Sequence, residues 1–98
     1  MAIESFKDKL TEKINGGEVS KKTQKLLPAE LHSKAQIRLA VLGAATSLED
    51  LRALRGNRFE ALKGDRAGQF SIRINDQYRI CFEWQDGNAY NVEIIDYH

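Results

Sequence analysis

Gln69-Phe70-Ser71-Ile72-Arg73-Ile74-Asn75-Asp76-Gln77-Tyr78-Arg79-Ile80-Cys81-Phe82-Glu83-Trp84 decides the fold of this chain. Phe70, Ile72 and Ile74 alternate with Gln69, Ser71 and Arg73; Tyr78, Ile80, Phe82 and Trp84 alternate with Gln77, Arg79, Cys81 and Glu83. Successive side chains of a strand point to opposite sides, so a period of two makes each run a strand with one apolar and one polar face. Asn75-Asp76 between them reads as a tight turn, and Asp86-Gly87 after them as a second hairpin signal. Beyond that turn, Tyr90, Val92 and Ile94 alternate with Asn91, Glu93 and Ile95. Residues 58–62 read as the strand before these. Phe59, Ala61 and Leu62 do not alternate cleanly, and a bulge there would account for it.

Upstream of residue 58 the apolar period is helical. Residues 3–5 read as a short edge strand. Phe6, Leu10 and Ile14 recur at four-residue spacing on one helix face, and Gly16-Gly17 ends that helix. Residues 18–27 read as a polar connection or a frayed turn. Pro28 suits the first position of a second helix, with Glu30 near its positive end. Leu31, Ala35, Leu39 and Leu42 form one stripe; Ile37, Ala40, Val41 and Ala44 form another. A helix apolar on two sides packs against two things, here the sheet and the first helix, or a protein partner. Thr46 with Glu49, and Ser47 with Asp50, have capping-box spacing ahead of Leu48, Leu51 and Leu54. The expected architecture is α+β, with two N-terminal helices packed on one face of an antiparallel-rich sheet, in a single domain over residues 1–98.

Composition sets the class. The chain has 98 residues, 42% hydrophobic and 30% charged, as in ordinary globular proteins rather than disordered ones. No run approaches the ~18 apolar residues of a membrane helix, and residues 1–10 lack a signal-peptide pattern. The single cysteine, Cys81, excludes an intrachain disulfide and suits a reducing cytoplasm; it reads as a small residue within a strand. Two distant histidines and one cysteine make no recognisable metal site. No cofactor motif is present. Lys63-Gly64-Asp65-Arg66-Ala67-Gly68 is not a P-loop, because the Gly-Lys-Ser/Thr order and the following helix are missing.

The net charge of +1 hides an uneven distribution. Residues 52–79 carry seven Lys and Arg (Arg52, Arg55, Arg58, Lys63, Arg66, Arg73, Arg79) against Glu60, Asp65 and Asp76. Residues 80–98 carry four acids and no Lys or Arg. A local excess of positive charge suits a phosphate-binding patch. Acidic and basic strands that pair across the sheet are the alternative. If the apolar residues face the helices, then Ser71, Arg73, Arg79, Cys81 and Glu83 face outward. Planar guanidiniums on rigid strands donate paired hydrogen bonds to a phosphate; solvated charges paired with Glu83 and Glu93 are the alternative. The chain ends on Asp96-Tyr97-His98. A histidine exchanges protons near neutral pH and a tyrosine ring stacks a splayed base. Together these are the parts needed to hold and cut an RNA phosphodiester without a metal. His32, in the second helix, reads as a surface residue.

The ordered series Leu62-Lys63-Gly64-Asp65-Arg66-Ala67-Gly68-Gln69, Ser71-Ile72-Arg73-Ile74-Asn75, Tyr78-Arg79-Ile80-Cys81-Phe82 and terminal Asp96-Tyr97-His98 resembles the HigB-like toxins of the RelE/ParE superfamily. The resemblance implies a RelE-like fold and a ribosome-dependent endoribonuclease that cuts mRNA in the 30S A site and arrests growth. It also implies a helix-turn-helix (HigA-like) antitoxin as partner. The family's functional positions carry onto Lys63, Arg79, Asp96, Tyr97 and His98; strand parity adds Arg73, and the basic turn adds Arg66. Well-studied members have a histidine in the strand before the Lys-Gly-Asp-Arg turn, where this chain has Glu60, as other HigB-like members do. Either Glu60 replaces that imidazole as a proton acceptor or the position is not catalytic here. The competing expectations are a gyrase inhibitor of the same fold, as in the ParE branch, and a non-catalytic RNA- or protein-binding module.

Overall fold

The computed structural model describes residues 2–96. Helices α1 (Lys9–Asn15), α2 (Lys21–Leu26), α3 (His32–Ala44) and α4 (Leu48–Ala53) precede strands β1 (Glu60–Ala61), β2 (Gln69–Arg73), β3 (Tyr78–Gln85) and β4 (Asn88–Asp96). The strands form one sheet in chain order, each antiparallel to the next. The N-terminal segment runs parallel to β4 along its outer edge through bridges at Ile3–Ala89 and Phe6–Val92, which realises the expected edge strand as two isolated pairings. The architecture is the expected α+β layer of helices on a sheet.

Local chemistry explains the helices. Asp8 starts α1 by accepting the Thr11 amide at 2.7 Å, one of the orphan donors of a helix N-terminus. The Thr11 hydroxyl in turn accepts the Ile94 amide at 3.1 Å, which fixes α1 against β4. Gly17 leaves the helix at φ 89°, a left-handed conformation natural to glycine. Residues 18–27 contain a helix, α2, rather than a connection. Ser20 accepts the Thr23 amide at 3.2 Å while Thr23 Oγ1 accepts the Ser20 amide at 2.8 Å. This reciprocal cap uses threonine where the usual sequence signature has Glu or Gln. Pro28 leads into a 3₁₀ turn (Ala29–Leu31) that continues as α3. At α4 the Ser47–Asp50 box forms as expected, and Asp50 also accepts the Thr46 amide and hydroxyl at 2.8 Å each.

One stripe of α3 packs inward: Ala35, Leu39 and Leu42 are buried with Ile14, Leu27 and Leu51 against Ile72, Ile74, Ile80, Phe82, Val92 and Ile94 of the sheet. Of the second stripe, Ile37 (61% exposed), Ala40 and Ala44 face solvent, whereas Val41 is half-buried against the core. His32 corrects its surface reading. It is only 4% exposed, because the first turn of α3 lies under residue 27, and its Nε2–H donates to the Leu27 carbonyl at 2.8 Å. An aromatic chain Phe59–Phe70–Phe82–Trp84, with successive centroids 5.6, 6.1 and 6.3 Å apart, crosses the sheet, and the Arg52 guanidinium sits 5.0 Å from the Phe59 centroid.

Register decides which residues share the polar face. The two-residue Asp86-Gly87 turn, with φ 53° and 80°, pairs Gln85 with Asn88 and Glu83 with Tyr90. The ladder then slips by one residue at a bulge around Asn91, itself left-handed at φ 51°, and resumes as Cys81–Glu93, Ile80–Ile94 and Arg79–Ile95. The bulge therefore lies in β4, not in residues 58–62. Tyr90 consequently shares a face with Glu93 rather than with Val92 and Ile94, and the buried set becomes Ala89, Val92 and Ile94.

Candidate active site

Glu60, Ser71, Cys81 and Glu93 form one row across all four strands, on the side opposite the helices. The next row holds Arg73, Arg79 and Ile95. The predicted parity holds in β2 and β3, but the face is not open. Ser71 and Cys81 are fully buried and Arg79 is 7% exposed. The Arg79 side chain lies against Ser71 and reaches the backbone of residue 58.

Arg79 is the organising group. Its Nε–H donates to Ser71 Oγ at 2.8 Å, Nη2 donates to the Arg58 carbonyl, and Nη1 lies 3.8 Å from the Glu60 carboxylate. A buried guanidinium is retained only where carbonyl, hydroxyl and carboxylate oxygens replace its hydration. The Arg58 carbonyl reaches it because residues 54–58 make a sharp corner. There a 3₁₀ turn (Arg55–Asn57) ends at Arg58 with φ 42°, an unusual conformation for a residue with a side chain. Asn57, fully buried, secures that corner by donating from Nδ2 to the Leu51 carbonyl at 3.0 Å and accepting Arg38 Nη1 at 2.6 Å. Sequence reading placed Ser71 on this face without giving it a role and passed over Asn57, for which the Gly56-Asn57 dipeptide was the available turn signal.

A second cluster flanks the first. Glu93, its side chain 14% exposed, lies 3.3 Å from both Lys7 and Arg66, and Arg66 also donates to Gln69 Oε1 at 3.0 Å. Cys81 sits between the clusters. Burial pushes its thiol pKa up to about 11, and the nearby Arg66, Arg79 and Lys7 do not offset this. It is a protonated, inert thiol at neutral pH.

The remaining expected residues are more dispersed. Arg73 lies directly opposite Arg79 in register, but its guanidinium bonds Asp76 of its own turn at 2.5 Å, holding that carboxyl below the usual carboxylate range. Lys63 is exposed on the turn between β1 and β2. Asp96 pairs with Tyr78 at the end of β4 and accepts Gln77 Nε2 at 3.2 Å. Tyr97 and His98 lie outside the described residues. Since Ile95 is opposite Arg79, Asp96, the last described residue, lies at the end of the sheet that bears Arg73 and Arg79. Arg79 thus pairs with Glu60, and Arg66 with Glu93, whereas Glu83 accepts Asn91 Nδ2 at 2.8 Å. Among the described residues, no three His, Cys, Asp or Glu side chains are grouped to hold a metal ion, and no helix is long and apolar enough to cross a membrane.

The family model for the RelE-like toxin of the type II toxin–antitoxin system HigB matches residues 4–98. Toxin HigB-1 of Vibrio cholerae serotype O1 is 43% identical over 91 residues, covering 93% of this chain and 92% of that one. The chain belongs to the HigB-like toxin family. A second relative, endoribonuclease HigB of Proteus vulgaris, is 33% identical over 72 residues, 74% of this chain and 77% of that one. The fold is shared with YoeB in the YoeB–YefM complex from Staphylococcus aureus, at TM-score 0.61 and 19% identity over 100% of this chain and 99% of that one. This HigB-like toxin is therefore the toxin of a type II toxin–antitoxin module, on the RelE-like scaffold that its sequence implied.

Proposed function

We propose that this toxin is an endoribonuclease that cuts mRNA in the ribosomal A site, and that a helix-turn-helix antitoxin neutralises it. The observation that carries the reading is Arg79. It is a cation fixed in a poorly hydrated sheet face by Ser71 and the Arg58 carbonyl, with the Glu60 carboxylate alongside. The 2′-OH of the RNA attacks the adjacent phosphorus, the P–O5′ bond breaks, and the products are a 2′,3′-cyclic phosphate and a 5′-OH end. The pentacoordinate phosphorus carries extra negative charge on its equatorial oxygens, and a preorganised guanidinium stabilises that charge without solvent reorganisation. One group takes the 2′-OH proton and another protonates the leaving O5′. His98 serves one of these roles, with Glu60 or Asp96 as its counterpart; Tyr97 stacks on a base. Lys63, Arg66 and Arg73 hold flanking phosphates. The name of the Proteus vulgaris relative supports the nuclease reading over a gyrase inhibitor.

General acid–base transfer contributes ~10²–10⁴-fold, and alignment of the RNA supplies the rest, a task suited to a ribosome that already holds the message. His98→Gln is expected to abolish growth arrest while leaving antitoxin binding intact. Mapping of mRNA 5′ ends after induction is expected to show cuts within translated codons. A DNA-damage response without such cuts would transfer the chain to the gyrase branch, and a His98→Gln protein as toxic as its parent would remove the imidazole from the mechanism.

A further inference from the structure

We infer that Asn57 is a positioning residue through which α3, on the far side of the sheet, sets the place of the Arg79 guanidinium. The inference rests on the reading of Arg79 as the group that meets the scissile phosphate. The linkage is continuous. Arg38 of α3 donates to Asn57 Oδ1 at 2.6 Å, Asn57 Nδ2 donates to the Leu51 carbonyl at 3.0 Å, and the neighbouring Arg58 carbonyl accepts from Arg79. Asn57 is fully buried, so an amide that lost either partner would hold a polar group away from water. The corner has little slack. Arg58 sits at φ 42°, and the Arg58 amide closes the turn onto the Arg55 carbonyl at 3.1 Å. Gly56 leaves the space that Arg38 occupies, since a Cβ there would lie 2.8 Å from Arg38 Nη2. A side chain at 56 would displace the Nη2 end of the Arg38 guanidinium, next to the Nη1 that bonds Asn57.

The side-chain hydrogen bonds of Arg38 and Asn57 join the two to each other and to the Leu51 carbonyl, not to Arg79. Their effect passes through the backbone oxygen of residue 58, which fixes one end of the guanidinium while Ser71 fixes the other. Rotating or shifting that oxygen moves the cation relative to the phosphorus, and a displacement of this kind costs rate rather than substrate affinity.

The test uses the full chain on ribosomes programmed with a defined mRNA, comparing the parent with Gly56→Ala, Arg38→Ala and Asn57→Ser. Gly56 is exposed and a Cβ there would meet only the flexible end of Arg38, so Gly56→Ala is expected to keep the fold even if Arg38→Ala or Asn57→Ser does not. The maximal cleavage rate is expected to fall ~10- to 10²-fold, with the half-saturating toxin concentration changing less than about twofold. In an Arg79→Ala background the same substitutions are expected to add no more than about a twofold loss, since both act on one group. The ¹⁵N-edited NMR signal of the Arg79 Nε–H is expected to be slow to exchange in the parent and broadened or fast-exchanging in the variants. Parental rates with an unchanged Arg79 signal would overturn the linkage, and so would losses that multiply in the Arg79→Ala background. If the parent itself cuts no RNA, the nuclease reading falls, and the NMR comparison alone still decides whether residue 57 positions the guanidinium.

Discussion

The centre of the sheet is buried on both faces, and by different means. The helix side is closed by aliphatic and aromatic contact, with Ile72, Ile80, Phe82 and Val92 at or near zero exposure. The opposite side is closed by polar partners: Arg79 on Ser71, the Arg58 carbonyl and Glu60, and Glu93 between Lys7 and Arg66. Burial of the first kind follows from removing apolar area from water and tolerates many shapes. Burial of the second kind requires each group to find its partner, and one missing partner is expensive. The first face therefore stabilises the fold, and the second holds charge in a fixed place.

The comparison is broken most forcefully on the helix side. Phe82→Ala, which empties the centre of the aromatic chain, is expected to lower unfolding free energy by about 3–5 kcal/mol in urea denaturation. Ser71→Ala removes only a hydroxyl, yet it leaves the Arg79 Nε–H without its acceptor, and the expected loss is about 2 kcal/mol. Arg79→Met sharpens the contrast. An apolar side chain of similar length removes the buried charge but strands the buried Ser71 hydroxyl and the Arg58 carbonyl, so stability is expected to fall by about 2 kcal/mol, as for Ser71→Ala, while cleavage is lost.

Cys81 offers a pH test of the same face. Its thiol is raised in the folded chain from 9.0 to about 11, so the folded state keeps its proton where the unfolded chain has lost it. The resulting stabilisation is fully present below pH 9.0 and declines as pH rises through 9.0 toward 11, with a lower denaturation midpoint as the readout. Below pH 9.0 a thiol reagent is expected to react only as fast as the protein unfolds. The smallest effect is at the corner. Arg58→Gly relieves the left-handed residue and is expected to shift stability by at most about 1 kcal/mol, toward the stable side.

The apolar half of this design was written in the sequence and much of the polar half was not. Alternation at residues 70–74 and 78–84 specified two strands and their inward residues, because period and burial are the same information. The Ser47–Asp50 box and the Asp86-Gly87 turn were equally local. The Ser20–Thr23 box of α2 was hidden by its unusual partner, and the burial of His32 depends on α3 lying under residue 27, which no local pattern encodes. Arg79, Glu60 and Lys63 were singled out by charge and by family resemblance. What holds Arg79 was not, since a carbonyl at residue 58 and an amide at residue 57 have no signature until the chain has turned the corner. Arg73 shows the converse, with correct parity but a guanidinium committed to Asp76.

The slip at Asn91 has a consequence for how this chain can change. Had the register set by the Asp86-Gly87 hairpin run on unbroken, Glu93 would stand across from Ile80 and Ile94 across from Arg79. A carboxylate would then enter the oily layer and a greasy side chain would sit beside the guanidinium. Loss of that single extra residue swaps inside for outside along the rest of the last strand. Insertions and deletions there are consequently far less forgiving than in the solvent-facing turns, and the chain's length at this point is as much a part of the site as any side chain in it.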